Sequence, residues 1–196
     1  MNGFRHKKSG KEVAMNYKVM YTFFNYNEKF FKIYSGSHLI EVNRRVIPDV
    51  LLVRNPFDKF ASFYSNKIAQ GKCVTLHPDF VSKLSSKFGF DVSSSTKEEI
   101  AEKIPLTAFV DSLGDLFMDE PHLYPQVYCL RWITPWRIVR IESELSVLTE
   151  MFPDIDFSVK KNESEKKTIL DDEARSVVAK IYHEDFVRFY PDLIVF

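Results

Sequence analysis

The chain has 196 residues, 27 basic and 27 acidic side chains that cancel, and an aromatic content raised by 18 phenylalanines. That length suffices for one domain with a substantial core. The charge balance argues against a nucleic-acid wrapper or a polybasic membrane surface, and no run of about 18 apolar residues exists to cross a bilayer.

In chain order, residues 1–16 are expected to be flexible; they lack the apolar core of a signal peptide. Residues 17–24 (YKVMYTFF) and 29–34 (KFFKIY) read as strands. Val50, Leu51, Leu52 and Val53 form a continuous apolar run, the pattern of a strand buried on both faces of a parallel sheet. Arg54 follows, then Asn55 as an N-cap and Pro56 at a first helical position. The helix after it carries Phe57, Phe60, Ala61, Tyr64 and Ile68 on one stripe, with Asp58, Ser62, Ser65 and Asn66 on a polar face. An arginine delivered by a strand to a helix N-terminus suits an anion, since free N–H groups and the dipole favour negative charge and guanidinium binds phosphate through two hydrogen bonds.

Residues 72–95, polar and rich in serine, read as a long loop or lid. Thr96 with Glu99 is a capping-box pair. Phe109, Val110, Leu113 and Leu116 predict a short helix interrupted at Gly114. WRIVRI (136–141) predicts a strand, and Leu145, Leu148, Met151 and Phe152 a helix stopped by Pro153. A last helix shares one face through Ala174, Val177, Val178, Ile181, Tyr182, Phe186 and Phe189. Strands alternating with helices imply an α/β fold, a single domain with a central, mainly parallel sheet flanked by helices. Cys73 and Cys129 are too few for a disulfide scaffold and read as thiols of a reducing compartment, Cys129 as a packed small residue. With no leader or span, a cytoplasmic location is expected.

RNPFDKFASFYSNK resembles the 3′-phosphate motif of the carbohydrate sulfotransferases (sulfotransferase family 2), with matches at Arg54, Pro56, Phe57, Lys59, Ser62, Tyr64 and Lys67. DEPHLYPQVYC is similar to the family's H-x-x-P-Q followed by cysteine, matched by His122, Pro125, Gln126 and Cys129. Glu142 stands where the family's strand ends in a glutamate. KKNES resembles an N-x-S loop, and IYHEDFVRFYPDL the closing Y-x-x-D-F-x-x-F helix. The matches keep the family's order over roughly residues 47–193.

The resemblance implies a fold of the P-loop nucleotide-hydrolase type and sulfuryl transfer from 3′-phosphoadenosine-5′-phosphosulfate (PAPS) to a carbohydrate or glycoconjugate hydroxyl, without a metal. It assigns the 3′-phosphate to Arg54 and Ser62, with Lys59 beside them. The nearest counterpart of the 5′-phosphosulfate loop is KIYSGSHL, where Lys32 would stabilise the leaving group and Gly36 and Ser37 would meet a phosphate. It lacks the family's preceding proline, so that loop is degenerate or absent from this chain. His122 is the candidate base or acceptor-positioning residue. Gln126 would hold the acceptor or a loop. Glu142 would orient an arginine or act as base, and Lys160 and Lys161 would contact phosphate or an acidic glycan. His38, His77, His122 and His183 show no paired metal-ligand spacing. The alternative is a non-catalytic protein of the same fold that binds PAP-like nucleotides or a protein partner.

Overall fold

Five segments pair into one sheet in a computed structural model that describes residues 1–16, 19–35, 47–131, 133–158 and 168–193. They are β1 (Asn2–His6), β2 (Glu12–Met15), β3 (Phe30–Ser35), β4 (Val50–Val53) and β5 (Arg137–Arg140), in the order β3-β1-β2-β4-β5. The fold is α/β and the sheet is mixed. β2, β4 and β5 are parallel neighbours, while β1 runs antiparallel to both β2 and β3. Four strands therefore share one direction and only β1 opposes them, so two of the four pairings are parallel and two antiparallel.

The chain divides into two compact units, Met1–Asn55 with Gln126–Glu163 and Glu184–Phe196, and Pro56–Pro125 with Ser164–His183. In the first, one sheet face presents Phe4, Val13, Met15, Val50, Leu52 and Val139. Phe23 and Phe24 of helix α1 (Tyr21–Asn25), Val147 and Leu148 of a helix over Leu145–Met151, and Phe152, Ile155 and Phe157 belong to the same core. Each such side chain contributes about 1.5–3 kcal/mol by leaving water.

Two expectations about the amino-terminal region are overturned. Residues 2–15 are not flexible; they form the β1–β2 hairpin, whose apolar residues sit in the core. The predicted 17–24 strand gives way to α1. Phe23 and Phe24, adjacent in sequence, both enter the core from this helix. Met20 caps α1 at φ 48°.

In the second unit, α2 (Pro56–Phe63) passes into a π-helical turn over Tyr64–Ile68. The wider turn shifts the helical phase, and Ser65, expected on the polar face, is buried with its Oγ accepting the Thr168 N–H at 3.1 Å. Phe60 and Phe63 stack on Phe109, and Phe80 meets Phe63 edge-on. Phe80 lies on α3 (Pro78–Phe88), within the stretch expected to be a loop or lid. Phe80, Val81 and Leu84 give that helix a buried face while serines take the solvent side; Pro78 opens it and Gly89, in the left-handed region, ends it. The Thr96–Glu99 capping box opens α4 (Lys97–Lys103) as expected. The next break falls at Ser112, not Gly114, between α5 (Leu106–Asp111) and α6 (Leu113–Leu116). After α7 (Leu145–Met151), the expected single closing helix is two, α8 (Asp172–Ile181) and α9 (His183–Phe189), separated at Tyr182. Among the described residues no helix is long and apolar enough to cross a membrane.

Candidate functional site

In the first unit, parallel β4 and β5 end side by side, with Val53 opposite Arg140. Ligands of open α/β sheets collect at such carboxyl ends. Arg54 leaves β4 half-buried, and its main chain is held on both sides. Gln126 Oε1 accepts the Arg54 N–H at 2.8 Å, and Gln126 Nε2 donates to the Arg54 carbonyl at 2.7 Å. Gln126 is anchored in turn by Asp185, whose two oxygens accept the N–H groups of Gln126 and Val127, each at 2.8 Å. Asp185 is fully buried, so its charge depends on these donors.

Glu142 closes the same edge. Its Oε1 accepts the Asn55 N–H at 2.8 Å, and its Oε2 accepts the Tyr190 hydroxyl at 2.9 Å. Burial, then the charge and hydrogen bond of Glu142, push the Tyr190 phenol far above its ordinary range; Arg140 and Arg54 oppose this only in part. Tyr190 is therefore a neutral donor. The Arg140 guanidinium lies over its ring at 5.0 Å and bonds Asp192 at 2.7 Å.

In the second unit, the His122 side chain is 27 % exposed and its Nδ1 is bonded to Glu120 Oε1. Glu120 is buried and also accepts the main-chain N–H groups of His122 and His77, each at 3.0 Å. Burial alone would raise its carboxyl. The bonds from the His122 ring, the His122 and His77 main chains, and the charge of His122 outweigh it and hold the group below the ordinary glutamate range. Lys59 is 1 % exposed: its Nζ donates to the Tyr124 carbonyl at 2.7 Å and lies 5.2 Å from the Tyr182 ring centroid. Ser62 is half-buried, and its Oγ accepts from Asn66 at 3.3 Å.

Of the residues singled out in the sequence, Arg54, Gln126 and Glu142 come together. Gln126 turns its amide onto Arg54, so it positions the arginine. Lys59 is committed to its own unit's interior. Lys32 lies exposed on edge strand β3, its Nζ 5.3 Å from the Tyr21 ring centroid. Three strand spacings, about 14 Å, separate β3 from β4. Gly36, Ser37, Lys160 and Lys161 lie outside the described residues, as does the Cys129 side chain. Cys73 is a buried free thiol. Sequence reasoning missed Glu120, Asp185 and Tyr190 as site residues; the signal available was an acid two residues before His122 and the polar members of the closing helix motif. Among the described residues no three His, Cys, Asp or Glu side chains gather as metal ligands. No family model matches the chain, and neither a curated protein nor a solved structure matches it.

Proposed function

We propose that this protein binds PAPS and transfers its sulfuryl group to a hydroxyl of a carbohydrate or glycoconjugate, on a sheet of the P-loop nucleotide-hydrolase type. The observation that carries the reading is the double main-chain grip of Gln126 on Arg54 at the carboxyl end of β4. A fixed main chain sets where the Arg54 side chain starts, and a guanidinium can bind a phosphate through two parallel hydrogen bonds. In this reading Arg54 takes the 3′-phosphate, and Glu142, bonded to Asn55, holds the loop that carries Arg54. His122 takes the acceptor's proton as its oxygen attacks sulfur. The bond from sulfur to the bridging phosphate oxygen breaks, and PAP leaves with the electron pair.

For the donor's 5′ end, Lys32 with Gly36 and Ser37 remains one proposal, since β3 ends at the same sheet edge as β4. The connection from β2 to α1 is the competing place, because β2 pairs directly with β4. By sequence it contains Lys18, outside the described residues. The burial of Lys59 favours a second reading, a non-catalytic sulfotransferase-fold protein binding PAP-like nucleotides or a protein partner, because it withdraws one cation from the donor.

Melting curves with PAP, together with labelled-sulfate transfer from PAPS onto a glycan panel, test both. PAP should raise the melting temperature of the wild type but not of Arg54→Ala, and sulfate should be transferred. A PAP shift without transfer selects the nucleotide-binding form of the second reading, and no shift at millimolar PAP removes the enzyme and that form together, leaving only a protein partner. Loss of transfer in Lys18→Ala but not Lys32→Ala assigns the 5′ end to the β2–α1 connection; the reverse assigns it to β3.

A further inference from the structure

We propose that Glu120 is the positioning residue for His122, locking its ring in the Nδ1–H tautomer so that Nε2 is the basic nitrogen. The role extends the sulfotransferase reading and, for the proton transfer alone, rests on it. The argument begins with what Glu120 can accept. One of its oxygens meets both the main-chain N–H and the Nδ1 of His122, and the other meets the His77 N–H. All three contacts face a carboxylate buried to 1 % exposure. A carboxylate stripped of water keeps its charge only where donors surround it. Its hydrogen bonds hold it ionised, and an ionised carboxylate can only accept. Nδ1 must therefore bear the hydrogen, and in the neutral ring the lone pair falls to Nε2.

The ring's orientation is fixed as well as its tautomer. The bond to the His122 main chain and the bond to its side chain end on the same oxygen, so imidazole and backbone are tied as one piece. Phe63 packs against the ring at a centroid distance of 6.2 Å. The His77 bond ties the carboxylate to the residue before α3. When an acceptor hydroxyl attacks the donor sulfur, its proton passes to Nε2, the imidazolium charge develops on a ring bonded to a negative group, and PAP departs with the electrons of the broken sulfur–oxygen bond. A carboxylate so placed stabilises that charge and removes the need to select a tautomer in each turnover.

Long-range proton–nitrogen correlation spectra of the histidine rings, recorded on the full chain, test this. Wild-type His122 should show hydrogen on Nδ1 in its neutral form. Glu120→Gln should populate both tautomers and lower sulfate transfer by roughly two orders of magnitude, while the PAP-induced melting shift stays that of the wild type. A wild-type ring protonated on Nε2 overturns the assignment, as does an unaltered ring pattern in Glu120→Gln. The wild-type spectrum decides the matter even where the variant folds poorly. Absence of PAP binding and of sulfate transfer in the wild type would remove the sulfotransferase reading and leave the ring measurement to judge Glu120 on its own.

Discussion

Gln126 pairs with Arg54 through both of its amide atoms, at 2.8 and 2.7 Å, much as a neighbouring strand residue would. Replacing it strands an N–H and a carbonyl in a half-buried place. Gln126→Ala should lower stability by about 3 kcal/mol and shrink the PAP-induced melting shift along with it. Urea unfolding and melting curves read both. A variant as stable as the wild type, with the full shift, would show that the amide does not hold the arginine.

Tyr190 remains protonated because burial and the nearby Glu142 charge raise its phenol so far. Its bond to Glu142 should persist without change from neutral to alkaline pH. Tyr190→Phe should cost about 1 kcal/mol, by the same amount at pH 7 and at pH 9, in chemical unfolding. A loss that fades at the higher pH would contradict a neutral donor.

Glu120 gives the opposite dependence. Its folded-state carboxyl titrates below the ordinary value of 4.5, so its stabilisation is present above that value and disappears as pH falls through the lowered one. Wild type should lose stability on acidification more steeply than Glu120→Gln, although the variant starts lower at neutral pH. Parallel curves for the two proteins would show that this carboxyl does not titrate on unfolding.

Gly71 sits at φ +58°, and a Cβ there would fall 2.0 Å from the Lys97 carbonyl oxygen. Gly10 has φ +73° with open space around it. Gly71→Ala should therefore cost about 3 kcal/mol or more and Gly10→Ala only about 1. Equal losses in thermal unfolding would show that the Lys97 contact relaxes.

The elements legible in the sequence were those whose burial pattern is complete in itself. Val50 to Val53 are apolar throughout because β4 is flanked on both sides, and β5 and α7 carried equally plain periodicity. The β1–β2 hairpin escaped because MNGFRH and EVAM are short, and the lysines between them mimic a tail. α3 was hidden by serines that serve only its wet face. Arg54, Gln126 and Glu142 were findable through ordered motifs. That they meet follows from strand adjacency, which no local pattern contains. Glu120 was harder still, since its meaning lies in the removal of water from around it.

The sheet's middle is furnished by the first fifteen residues, yet β2 waits for a partner that begins at residue 50, and β4 for one that begins at 137. Such pairings close long loops before they are rewarded, so assembly of this domain is expected to be slow. During synthesis an unpaired β2 edge stands open until Val50 emerges, a period in which another chain's strand is a rival.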